Sequence, residues 1–302
     1  MQWKKLGRIF SAEGQREWMH SHIQMPVCLH LDNGIHRVYF GTRNSNNHPH
    51  VGFIEFDINQ PHKILCISDD YVLGPGPLGY FDDNGLYPGS IIKNKGKLWL
   101  YYMGRSNGAN GLYYMAIGLA VSSDGGNTFQ RYSDVPIMTR SKFDPWMVST
   151  PHVTKETSLW RMYYLSGIGW EKIKNNLVSF YNIKYAESND GVIWEQNGTV
   201  AIDFEGDETN IAAPCILKNS TKYEMWYCYA KHRGYRLGYA ISDDGISWIR
   251  KDGEIGISLS DTGWDSESMA YPNVFKYKNK KYMLYSGNSN GKDGIGLAMM
   301  ED

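Results

Sequence analysis

Arg43 closes the phrase GTR (41–43) and Arg105 closes MGR (103–105), each at the end of an apolar run with strand composition. Lys231, His232 and Arg233, in YAKHRGYR (229–236), stand at the matching point of a later run. Guanidinium forks grip carboxylate or phosphate through paired N–H groups, so basic positions repeated in this way point to an anionic ligand. The alternative is an arginine neutralised by a nearby acid such as Asp83. Histidine is the second chemical signal, with His20 and His22 in HSH, then His152, then His232. Alternate residues on a strand share a face, which would turn His20 and His22 the same way. His22 is then a candidate general acid or base, a metal ligand together with His20 and an acid, or a histidine satisfied by hydrogen bonds. Asp83, Glu208 and Glu267 are the candidate catalytic carboxylates, whereas Asp144 in FDP and Asp265 in WDS recur at corresponding places and read as loop caps. Gln24, Trp146, Trp170 and Tyr271 join Arg43, Arg105, His152, His232 and Arg233 as candidate substrate contacts, the aromatics as flat stacking surfaces.

These residues are scattered, so the chain must bring them together. It does so by repetition. The turn SDDGISW (242–248) recurs as SNDGVIW (188–194) and SSDGGNTF (122–129). Each copy follows a fixed order: a proline, a strand-like run such as LWLYYMG (98–104), RMYYLSG (161–167) or YEMWYCYA (223–230), and a second run such as IGLAVS (117–122) or LGYAIS (237–242). Weaker copies open and close the chain, and Pro26, Pro88, Pro151, Pro214 and Pro272 mark the units at intervals of 62, 63, 63 and 58 residues. Five units of short antiparallel strands, none able to bury both faces alone, predict an all-β fold, a five-bladed β-propeller. The last unit lacks its turn and tryptophan, while WKKLGRIF (3–10) resembles WIRKDGEIGI (248–257), so the N-terminal strand is expected to complete the last blade. One domain, 1–302, is expected, with blades near 18–75, 82–137, 144–202, 207–259, and 265–302 plus 1–10. In S-x-D-G-x-x-W the polar side chains fold back on turn amides, Gly permits positive φ and the aromatic packs between sheets.

Bulk properties narrow the partners. A net charge of -1, from 31 Lys plus Arg against 32 Asp plus Glu, provides no global field for nucleic acid or an anionic membrane. MQWKKLGRIF lacks the apolar core of a signal peptide and no run of about 18 apolar residues occurs, which suggests a cytoplasmic protein. Cys28, Cys66, Cys215 and Cys228 form no C-x-x-C pair, arguing against a structural zinc site or disulfide framework. No cofactor and no resident metal are expected.

The turn at Ser122–Phe129 resembles the Asp-box of sialidases, and says hairpin rather than substrate. Across its whole length, through motifs such as YMLYSG, LGYAISDDGISW and WDSESMAYPNV, the chain resembles the five-bladed glycoside hydrolases of families 43, 32, 62, 117 and 130. The resemblance implies a central funnel and carboxylates at the first, second and third blades, of which the first stands beside the proline and the third just before it. Here Gln24 and Met25 precede Pro26, and Ser149 and Thr150 precede Pro151. Since glycoside cleavage uses one carboxyl group as acid and another as base or nucleophile, the two gaps argue against a standard hydrolase of those families. The expected function is a carbohydrate-active enzyme acting on an anionic or activated sugar in the funnel. Its rivals are a propeller that only binds such a sugar or sugar nucleotide, and a metal-dependent lyase or hydrolase built on the histidines.

Overall fold

The computed structural model describes residues 1–230 and 234–301. Its strands are β1 (Trp3–Phe10); β2 (Ser21–Asp32), β3 (Ile35–Arg43), β4 (Pro49–Asp57) and β5 (Ile64–Ile67); β6 (Leu86–Asn94), β7 (Lys97–Ser106), β8 (Tyr114–Ser122) and β9 (Gln130–Arg131); β10 (Val148–Lys155), β11 (Trp160–Ile173), β12 (Asn176–Ser188) and β13 (Glu195–Ile202); β14 (Asn210–Lys218), β15 (Tyr223–Ala230), β16 (Tyr235–Ser242) and β17 (Ile249–Arg250); and β18 (Ala270–Tyr277), β19 (Lys280–Ser286) and β20 (Ile295–Met300). Among the described residues no helix is long and apolar enough to cross a membrane.

Three sheets are four-stranded: β2-β3-β4-β5, β6-β7-β8-β9, and β1-β20-β19-β18, in which the N-terminal strand pairs with the last strand of the chain. A larger sheet joins the two remaining units, β10 to β13 and β14 to β17, through one parallel pair, Tyr181 with Asn210. The innermost strands are mutual neighbours: β2 packs beside β6, β6 beside β10, β10 beside β14, β14 beside β18, and β18 beside β2.

The buried apolar residues among those described gather between consecutive sheets. Val27, Tyr39, Leu100 and Tyr102 join the first unit to the second, and Tyr101, Val153, Met162 and Trp194 join the second to the third. Tyr163, Ile183, Met225 and Tyr227 follow, then Trp226, Leu237, Met283 and Tyr285. Ile9, Phe40, Ile54, Leu284 and Leu297 bring the last unit against the first. Fully burying such side chains stabilises by about 1.5–3 kcal/mol each, so the sheets are held face to face mainly by these layers.

The repeated turn is a clip between units. Gly126, Gly191 and Gly245 donate their N–H to Ser122, Ser188 and Ser242, while Asp124, Asp190 and Asp244 accept from the amides that follow. The same three glycine carbonyls accept hydroxyls from the preceding unit: Tyr39 at 2.8 Å, Tyr101 at 2.9 Å and Tyr163 at 2.7 Å. Glycine is required there, because φ is +89° at Gly126 and a Cβ would lie 2.0 Å from the Tyr39 hydroxyl. Phe129, Trp194 and Trp248 then meet those tyrosines edge-on, and Trp3 meets Trp226 in the same way at 6.3 Å. Trp3 thus takes, for the last unit, the place of the missing turn aromatic.

Candidate functional site

All five repeat prolines, Pro26, Pro88, Pro151, Pro214 and Pro272, line one narrow cavity of about 20 Å³. The residue before four of them is left-handed: Met25 (φ 53°), Thr150 (40°), Ala213 (53°) and Tyr271 (55°). Pairing registers slip at these points, so each inner strand bends as it passes its proline. Side chains on the far side of the bend face a wider cavity of about 220 Å³, to which Met25, Thr150 and Tyr271 also contribute. Side-chain acceptors bridge the strands below: His152 Nε2 accepts the Ile216 amide (3.2 Å), Cys215 Sγ that of Val274 (3.2 Å) and Asn273 Oδ1 that of Cys28 (2.9 Å).

The wider cavity holds Arg43, the last residue of β3, and Arg105, the last but one of β7, both turned inward. Arg43 Nε donates to the buried Gln24 Oε1 at 3.1 Å and another of its nitrogens to Asn47 Oδ1 at 3.1 Å. Arg105 lies 5.4 Å from the centre of the Tyr113 ring, and its Nε is buried without a hydrogen-bond partner. Among the described residues neither guanidinium has a carboxylate within 4.0 Å, and the cavity lining contains no Asp or Glu.

Tyrosines and methionines complete the wall. Tyr181 and Tyr235 share a short hydroxyl–hydroxyl hydrogen bond, and Tyr235 lies 5.9 Å from Tyr271. Burial raises the pKa of Tyr87, Tyr181, Tyr235 and Tyr271, so these hydroxyls stay protonated, and Tyr87, Tyr271 and one of the Tyr181–Tyr235 pair have a proton to donate to an acceptor. Met25, Met103, Met115 and Met147 form a soft apolar side, with Ser149 held against the Met103 sulfur at 2.6 Å. Tyr113, Tyr181, Tyr235 and the methionines lie outside the sequence-based candidates. A signal for three of them exists: Met115 pairs with Arg105, Tyr181 with Gly167 and Tyr235 with Ala230, each opposite the last residue of an apolar run (MGR, RMYYLSG and YEMWYCYA).

The candidate carboxylates lie elsewhere. Glu208 is buried and grips Arg250 through both oxygens at 2.7 and 2.9 Å. It belongs with Asp82, Asp144 and Asp265, buried loop acids answered by Arg131, Lys184 and Lys5 and by Tyr102, Tyr164 and Tyr285. The first unit replaces this polar set with Met19 and Phe40, packed in one apolar cluster. Asp83 accepts the Gly79 amide at 2.9 Å in its own loop, and Glu267 is exposed.

His20 and His22 do not share a strand face, because His20 is exposed ahead of β2 and His22 is left-handed at φ 63° within an irregular register. His22 is part-buried, bonded to Ser21 Oγ at 2.9 Å, and its pKa is lowered to about 4 by desolvation and by Arg43 and Lys292, against a smaller opposing effect of Asp293. Among the described residues no group of three His, Cys, Asp or Glu side chains is gathered as metal ligands. His152 borders the narrow cavity below the prolines, not the wider one. Trp146 is exposed outside the lining, and Trp170 reaches it only through Tyr113, 5.1 Å away edge-on. His232 and Arg233 lie outside the described residues.

No family model matches the chain. Two proteins from strains of Mycobacterium tuberculosis, called uncharacterized protein MT1551 and uncharacterized protein Rv1502, are each 36% identical to it over 303 residues, spanning 100% of both chains. The chain belongs to their family. Among solved structures, this family's fold matches a glycoside hydrolase with a TM-score of 0.76 at 17% identity, covering 99% of this chain and 93% of the other. A thermostable family-43 glycoside hydrolase matches at 0.70 and 16%, covering 97% and 94%. A structure from work on the GH130 mannoside phosphorylases and β-1,2-mannan-targeting hydrolases matches at 0.71 and 14%, covering 99% and 94%. The fold is that of the glycoside-hydrolase-like β-propellers, and at these identities the likeness concerns the fold alone.

Proposed function

We propose that the chain is one domain, a closed five-bladed propeller, and that its funnel receives a small anionic sugar held by Arg43, Arg105 and Gln24, with Tyr113 and Tyr271 as flanking surfaces. The closed five-bladed form is supported by the cyclic packing of the inner strands, the ring of prolines and the pairing of β1 with β20. The observation that carries the ligand reading is the pair of guanidinium groups without carboxylate partners, in the cavity where the inner strands converge. Arginine left unpaired in a partly buried site is costly until an anion fills it.

The reading is recognition of the sugar rather than two-carboxylate hydrolysis. A glycosidase needs two carboxyl groups about 5–10 Å apart around the scissile bond, and Glu208, Asp83 and Glu267 are committed to loops or solvent. A second reading, turnover at the same opening, rests on His22, whose imidazole is neutral at neutral pH beside Arg43 and is able to accept a proton from a sugar hydroxyl. Calorimetric titration of the full chain with sugar phosphates, nucleotide sugars, uronic acids and neutral sugars, with mass spectrometry of the mixtures, decides between them. Binding without new products is expected. Products that vanish in His22→Gln would establish the second reading, and an absence of anion-dependent binding would refute the first.

A further inference from the structure

Resting on the anionic-sugar reading, we propose that the anion is a phosphoryl moiety with two negative charges in all, the monoester of a sugar phosphate or the two singly charged phosphates of a nucleotide sugar, rather than a single carboxylate. The argument is one of charge. Among the described residues the other partly buried lysines and arginines are paired with acids: Lys5 with Asp265, Arg37 with Glu55, Arg131 with Asp82, Arg161 with Glu156, Lys184 with Asp144, Arg250 with Glu208, Lys251 with Glu254 and Lys281 with Glu224. Arg236 is the exception, and its guanidinium donates to two backbone carbonyls. Arg43 and Arg105 have only neutral partners: Gln24 and Asn47 for the first, the Tyr113 ring for the second.

Both charges face one space, since Arg43, Arg105 and the Tyr87 ring line the same cavity of about 220 Å³. A lone carboxylate has two oxygens in one plane and one charge, so it can satisfy one fork and leave the other uncompensated. A phosphate monoester offers three terminal oxygens and up to two charges, and the diphosphate of a nucleotide sugar four non-bridging oxygens and two charges, in either case enough for two forks at once. The rest of the wall fits an acceptor-rich group, because Tyr87 and Tyr271 keep their hydroxyl protons and the lining presents no acid to repel it.

The test uses the full-length chain at constant ionic strength, with glucose 1-phosphate, UDP-glucose, inorganic phosphate, glucuronate and glucose as probes. Affinity is read by calorimetry, and the Met25, Met103, Met115 and Met147 methyl signals report on the cavity itself. Glucose 1-phosphate or UDP-glucose is expected to bind at least about tenfold more tightly than glucuronate, and whichever is tighter names the source of the phosphoryl group. Arg43→Gln and Arg105→Gln are each expected to weaken the preferred phosphorylated probe about 10- to 100-fold, with unfolding temperature and methyl dispersion of the free protein confirming the fold. Glucuronate binding as tightly as the phosphorylated probes overturns the two-charge inference and leaves the anionic-sugar reading intact. Binding of every anion unchanged in the Arg43→Gln, Arg105→Gln double variant overturns both.

Discussion

The loops that lead into the inner strands and the funnel those strands surround treat charge in opposite ways. In the loops each buried acid is answered: Glu208 by both arms of Arg250, Asp82 by Arg131 and Tyr102, Asp265 by Lys5 and Tyr285. In the funnel two arginines face a cavity with no acid in its lining. A satisfied polar network holds elements in place and asks nothing of the solvent, whereas an unsatisfied one is an invitation to a ligand. The same residue types therefore carry different meanings according to what meets them.

That contrast can be broken first at its structural side. Glu208→Ala leaves the Arg250 guanidinium half-answered, with Asp252 remaining, and is expected to lower stability by about 3–5 kcal/mol in denaturant unfolding. A loss of ligand affinity at unchanged stability would instead place Glu208 on the functional side. Gly126→Ala forces a left-handed alanine against the Tyr39 hydroxyl and is expected to cost about 2–4 kcal/mol by the same measurement. Gly125→Ala next to it, where φ is 76° but a Cβ meets open space, should cost about 1 kcal/mol.

The functional side gives the reverse signature. Arg105→Gln is expected to reduce anion binding by about 1.5–3 kcal/mol while leaving stability unchanged or up to about 1 kcal/mol higher, because the orphaned Nε of a half-buried cation is removed. Thermal unfolding alongside calorimetry checks both halves. Acid sensitivity is a further readout. His22 and His152 are lowered from 6.5 to about 4 by burial, so below pH 6.5 the unfolded chain takes up protons that the folded chain refuses. Stability is therefore full above pH 6.5 and declines as pH falls toward 4, by on the order of 3 kcal/mol per histidine. A pH series of unfolding free energies should flatten over that window in the His22→Asn, His152→Asn double variant. At His22 an anion bound to Arg43 should shift the window upward, since Arg43 and Lys292 depress its pKa and Asp293 only partly offsets them.

Much of the scaffold was legible because it repeats. Five prolines at nearly equal intervals, three copies of one turn and a stray Trp3 that resembles Trp248 were enough to anticipate inner strands, clips and the pairing of the first strand with the last. Arg43 and Arg105 stood out because their place in the repeat matched, and they line one cavity. Glu208 was opaque for a physical reason: its partner Arg250 comes 42 residues later in a two-residue strand, and nothing local distinguishes a paired acid from a free one. His20 and His22 misled because strand alternation assumes extended backbone, and His22 is not extended. Tyr181 and Tyr235 were missed because they stand two residues ahead of the apolar runs IKYAES (183–188) and LGYAIS (237–242), and only the hairpin register places them opposite Gly167 and Ala230.

The pairing of β1 with β20 has a consequence for synthesis. Residues 3–10 are made nearly 300 residues before their hydrogen-bonding partner, residues 295–300. Throughout translation a strand ending in Ile9 and Phe10 must wait unpaired, so a nascent chain halted before residue 295 would carry a sticky edge that the finished molecule never displays.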